Sequence, residues 1–150
     1  MEYDLKDAIP HIVHDYAYLL ASGTDTQRSH PHPFNHYAER TFLLHYRTMI
    51  EFFVGKQDVR AEHFTRGAFN PSLDTWNGWE PHIQSHLMHL TAGRTKKRHR
   101  RTWDGTKNRP MLEEFQAAWA KFLAELKDDL RPIFEHEIDK QRNSFKCYKL

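Results

Sequence analysis

From Leu112 to Ile133 large apolar side chains recur every three or four residues: Leu112, Phe115, Trp119, Phe122, Leu126, Leu130 and Ile133. An α-helix turns once in about 3.6 residues, so this spacing lines one face of a helix of about six turns. A strand would need strict alternation instead. Thr106 or Asn108 can cap the start, Pro110 suits the first turn, and Glu113 and Glu114 favour the positive N-terminal end. Pro132 is expected to kink or interrupt the helix, because a proline ring clashes with the preceding turn. A stripe this long cannot remain in water, so the rest of the chain must cover it.

The other segments supply the cover in the same period. Asp4 can cap a first helix, with Ile9, Ile12, Val13, Tyr16, Leu19 and Leu20 on one face and Gly23 as its terminator. Pro10 is tolerable only near that helix's start. A second helix is expected from near Asn35 to Gly55. Leu43, Tyr46, Ile50 and Phe53 form its stripe, and Phe42, Met49 and Phe52 widen it enough to make this helix central. Val59 and Phe64 anchor the connection that follows, where a short helical turn fits. Asn70-Pro71 and Asp74 are start signals for a third helix, carrying Trp76, Trp79, Ile83, Leu87 and Leu90 and stopped by Gly93. The spacing thus predicts helices over 4–22, 35–54, 74–92 and 109–136, a basic loop over 94–105 and a frayed tail over 140–150. No stretch alternates with period two and no internal repeat is evident. The expected fold class is all-α: a single-domain helical bundle of four main helices with long connections.

Composition excludes several classes. Hydrophobic residues make up 39% of 150, enough for a core and too many for disorder, and no apolar run approaches the length of a bilayer span. The opening MEYDLKDAIPHIV lacks the basic region of a secretory signal, and Cys147, the single cysteine, has no partner in the chain for a disulfide. A cytoplasmic protein without a membrane partner is expected. There is no P-loop, dinucleotide-binding glycine pattern, zinc cysteine set or nucleophile elbow, and no cofactor is expected.

The unusual stretch is EPHIQSHLMHLTAGRTKKRHRR, Glu80 to Arg101. His82, His86 and His89 lie four and three apart and so project from one side of a helix. One reading makes them a polar flank beside Trp79, Ile83, Leu87 and Leu90. Another makes them metal ligands, which would need a carboxylate from elsewhere such as Glu39, Glu51 or Glu114. Beyond Gly93, six Lys/Arg fall between Arg94 and Arg101. They read either as a solvated loop or as a phosphate-docking patch of Lys96, Lys97, Arg98, Arg100 and Arg101, with Trp103 placed to stack on an unpaired base.

Around these histidines the chain resembles a known group. ERTFLLHYRTMIEFF, KQDVRAEHF and IQSHLMHLTAGR, with a later tryptophan, look like a set of bacterial helical proteins. In that set a vNKxxAHLTxxR-like segment follows an RxLxxFF-like helix and a DDVxAxDF-like connection. The resemblance covers roughly Tyr37 to Phe122 and is most specific at His86 to Thr91 with Arg94. That segment is in turn similar to the motif of HEPN domains, R-[polar]-x-x-x-H. These are helical bundles, often dimeric and often metal-independent ribonucleases.

Laid onto this chain, the resemblance implies His89 as the acid–base group and Ser85 at the polar position, with Gln84 where the family has arginine. Histidine moves a proton near neutral pH, while arginine stabilises the phosphorane formed as a 2′-hydroxyl attacks its neighbouring phosphate. Gln84 cannot supply that charge. Arg94 can, if it folds back beside His89; Arg94 and His99 also match an R-x4-H spacing, and Arg40 or Arg47 could reach the same crevice from helix two. The resemblance therefore implies a nucleic-acid partner, RNA above all, and a homodimer. The alternatives are a non-catalytic, dimerising interaction module and a His-ligated metal bundle.

Overall fold

The computed structural model describes residues 4–28, 34–56, 58–75 and 108–145, with His36 described in its backbone alone. Among these residues the fold is an all-α bundle of four helices: α1 (Leu5–Asp25), α2 (Phe34–Val54), α3 (Asn108–Glu125) and α4 (Arg131–Ser144). Among the described residues a 3₁₀ turn, Ala61–His63, follows α2. No described residue belongs to a strand; Thr65 and Leu126 form an isolated bridge. No described helix is long and apolar enough to cross a membrane.

α1 begins where Asp4, in extended conformation, accepts a hydrogen bond from the Lys6 amide. It accommodates Pro10 in its second turn and runs past Gly23, which the sequence marks as a terminator. A Cβ at Gly23 would lie 3.0 Å from the Phe42 ring and 3.1 Å from Leu112. Gly23 is therefore a point of close approach for α2 and α3, and the helix ends two residues later. All six residues of the expected α1 stripe are buried, as are all seven of α2.

The expected single helix over 109–136 is two helices. α3 stops at Glu125, and Pro132 sits in the first turn of α4, where its fixed φ and missing N–H cost nothing. The break resets the helical phase, so Phe134, fully buried, takes the core position that the unbroken spacing assigns to Ile133. The chain from 60 to 67 closes this break: the Arg66 amide donates to Glu125 O and the Lys127 amide to Phe64 O, both at 2.9 Å. α4 extends to Ser144, beyond the expected start of a frayed tail at 140. Of the expected third helix only Asp74 and Thr75 are described, and both are helical. The basic loop over 94–105 lies outside the described residues.

Interhelical contacts give the directions. Gly23 meets Phe42, and Asp15 meets His45, so α1 and α2 are antiparallel. Gly23 meets Leu112 while Tyr16 stacks on Trp119 with centroids 4.0 Å apart, so α1 and α3 are antiparallel as well. One end of the bundle is thereby defined by the C-terminal turn of α1, the N-terminal turns of α2 and the N-terminal turns of α3. The core at the other end is aromatic, gathered around Phe122, Phe52, Phe64 and Phe134.

Candidate functional site

The catalytic and nucleic-acid-binding residues expected from the sequence, and the three histidines of the metal reading, lie outside the described residues: His82, Ser85, His86, His89, Arg94, Lys96, Lys97, Arg98, Arg100, Arg101 and Trp103. Gln84 and His99 do too. The structure does describe the residues between which that stretch is strung. The Thr75 amide donates to both carboxylate oxygens of Glu114, at 3.0 and 3.1 Å, and the Thr75 hydroxyl donates to Oε1 at 2.6 Å. Asn108, fully buried, opens α3. Glu114 stands six residues into that helix, or about 9 Å along its axis. Residue 75 is therefore fastened to the first turns of α3, the helix that residue 108 opens.

Glu114 works here as the acceptor for Thr75, whose amide and hydroxyl both donate to it. Burial holds the nearby Tyr46 phenol above its ordinary pKa, and the Glu114 charge pushes it the same way, so Tyr46 stays neutral. With both oxygens engaged by Thr75, Glu114 is poorly placed to complete a metal site. Burial also raises the Glu39 carboxyl, against the opposing pull of Arg40. Among the described residues no group of three His, Cys, Asp or Glu could hold a metal ion. Glu114→Ala is expected to lower stability by about 1–3 kcal/mol, since two donors lose their acceptor at a part-buried position. Thermal unfolding together with amide exchange at Thr75 measures this; unchanged protection at Thr75 would contradict the anchor.

A second arrangement was not legible in the sequence. His45 on α2 donates from Nδ1 to Asp15 Oδ1 on α1 at 2.9 Å, with the His45 side chain 15% exposed. A carboxylate can only accept, so Nδ1 is the nitrogen that carries a proton in this contact. Tyr18 stacks on the imidazole at 5.2 Å, and His14 lies against Tyr18 at 4.5 Å. Asp15 also lines an open groove of about 610 Å³ between α1 and α2, with Ile12, Leu44, Phe52 and Val59 supplying apolar surface and Arg47 at its side. Of the two α2 arginines considered as partners for His89, Arg47 lines this groove, and Arg40 is exposed. The pair joins residues 30 apart in different helices, and no local spacing signals it.

The chain matches no protein-family model, no curated protein and no solved structure at a significant level. The fold defines its class: an all-α helical bundle.

Proposed function

We propose that this bundle is a HEPN-like nucleic-acid-binding protein. The run Arg94–Arg101 docks phosphates, and His89 with Arg94 and Ser85 forms a metal-independent, ribonuclease-like centre. The observation that carries the reading is charge segregation. Six of the 22 Lys/Arg lie in those eight residues, and the remaining sixteen face 20 Asp/Glu, so the rest of the chain has a net charge of −4. A polyanion is thus attracted to one segment and repelled on average by the remainder.

In the chemistry this assigns, His89 accepts the proton of a ribose 2′-hydroxyl as its oxygen attacks the adjacent phosphorus. The bond to the 5′-oxygen breaks as that oxygen takes a proton from water, leaving a 2′,3′-cyclic phosphate and a 5′-hydroxyl; His89 then returns its proton to solvent, and Arg94 offsets the phosphorane charge. Gln84, neutral where the family carries arginine, favours a second reading in which the protein binds RNA without cutting it. Incubating the protein with a mixed RNA pool in EDTA separates the two. Cleavage to cyclic-phosphate ends, reduced about 10²- to 10⁴-fold in His89→Ala, is expected of the enzyme. Binding without cleavage selects the second reading, and failure to bind any RNA or DNA rejects both.

A further inference from the structure

The groove between α1 and α2 plays no part in the nucleic-acid reading. Its volume of about 610 Å³ falls within the range of small-molecule sites, roughly 300–1,000 Å³. Ile12, Met49 and Phe52, all buried, give it an apolar floor. Leu44, 51% exposed, and Val59 give it apolar sides. From Leu44 to Phe52 it follows α2 for eight residues, or about 12 Å. Covering such surface is favourable, and the charges at its rim select the occupant.

Four charged or titratable side chains line the groove: His11, Asp15, Arg47 and Glu51. Asp15 is engaged by His45 Nδ1 at 2.9 Å. Glu51 carries its Oε2 against Gly55, a turn further along the chain and away from Arg47. Arg47 is half-buried and forms no hydrogen bond or ion pair among the described residues. Its guanidinium keeps its charge at any ordinary pH and presents five N–H donors. His11 stands close to the same height. The helices are antiparallel, His11 lies four residues before Asp15, and Arg47 lies two after His45, which sets them within about 3 Å of one level along the axis. An imidazole keeps at least one N–H in either tautomer, so His11 adds a donor to the same rim.

We infer that this groove binds a small apolar monocarboxylate, with its tail on Ile12, Met49 and Phe52 and its carboxylate on the Arg47 guanidinium. His11 is a further donor to that carboxylate. A guanidinium fork matches the two oxygens of a carboxylate, and the pair gains strength where water is partly excluded. A saturated tail of about eight to ten carbons spans the length of the floor. An alkylammonium would be repelled by Arg47 and would have to reach a Glu51 carboxylate that is turned aside to Gly55. A neutral alcohol gains the apolar contact but leaves the cation without a counter-charge. The inference is independent of the proposed nucleic-acid centre, which uses none of these residues.

The test is isothermal titration calorimetry of the 150-residue chain with decanoate, decylamine and decanol, each below its aggregation concentration. Amide shifts of Leu44 and Thr48 locate the site. Wild type is compared with Arg47→Ala, Arg47→Lys, Leu44→Ser and Thr48→Trp. Leu44 and Thr48 are exposed, so neither change enters the core, and circular dichroism checks that all variants fold. Decanoate is expected to bind wild type at least about tenfold more tightly than decylamine or decanol. Arg47→Ala is expected to weaken decanoate roughly ten- to a hundred-fold and to leave decanol within about twofold. Arg47→Lys, which keeps the charge without the fork, should lose less. Leu44→Ser and Thr48→Trp, which alter the apolar side and obstruct the groove, should weaken decanoate and decanol alike. No binding of decanoate by wild type, or decylamine bound as tightly, overturns the inference. Decanoate affinity left unchanged by Arg47→Ala, or shifts confined to other residues, overturns it as well. A wild-type dimer that Thr48→Trp breaks, with no decanoate bound, makes the groove an interface between copies and also overturns it.

Discussion

Phe122→Ala is expected to destabilise the bundle by about 3–5 kcal/mol, a large part of the roughly 5–15 kcal/mol that holds a domain of this kind together. Phe122 is fully buried, and its ring lies 5.4 Å from Phe52, 5.3 Å from Phe134, 5.7 Å from Phe69 and 5.4 Å from Trp119. It touches α2, the connection before α3, and α4 at once. Removing it forfeits the transfer free energy of a large side chain. It also leaves a cavity whose walls belong to separate elements and cannot close together. Phe122→Leu keeps most of the volume and should cost less than half as much. Urea unfolding of both variants reads the difference as a lower midpoint at unchanged slope. A loss below about 1 kcal/mol for the alanine variant would show that the rings are not packed as described, since a cavity of this kind costs more.

The second large effect is electrostatic. If the six cations of Arg94–Arg101 all engage a single strand, the logarithm of the binding constant should fall with the logarithm of salt concentration at a slope near −4. Changing Arg98, Arg100 and Arg101 to Ala removes half of that charge and should bring the slope to about −2. Over the tenfold salt range between about 0.1 M and 1 M, this difference amounts to roughly a hundred-fold weaker binding at the lower concentration. Titrations at several salt concentrations measure it. A slope that does not change would mean that the run is a solvated surface segment and that phosphates do not dock on it.

Helical character was legible in the chain because it is local. The stripes of α1 and α2 name their buried residues correctly, since a period near 3.6 is imposed by backbone geometry on residues a few positions apart. Where two elements compete for a residue, the local signal misled. Gly23 looks like a stop, yet its missing side chain serves the approach of Phe42 and Leu112, and the helix continues through it. At Pro132 the local signal served: a kink or an interruption is expected there, and the helix is interrupted, with Pro132 in the first turn of α4. For the candidate site, histidine spacing and the density of Lys and Arg are likewise local, and their residues lie outside the described part of the structure.

The sequence by itself determined that this protein is helical, which faces of its first two helices are buried, and that six of its 22 Lys/Arg are gathered into eight residues. Periodicity and composition carry those facts without reference to distant residues. Only the tertiary structure decided that Asp15 meets His45 across 30 residues and that Thr75 meets Glu114 across 39. It alone left the rings of Phe34 and Tyr37 exposed on the first turns of α2. Such pairings depend on how whole helices pack, and packing is set by the combined shape of many side chains, which no short stretch of sequence encodes.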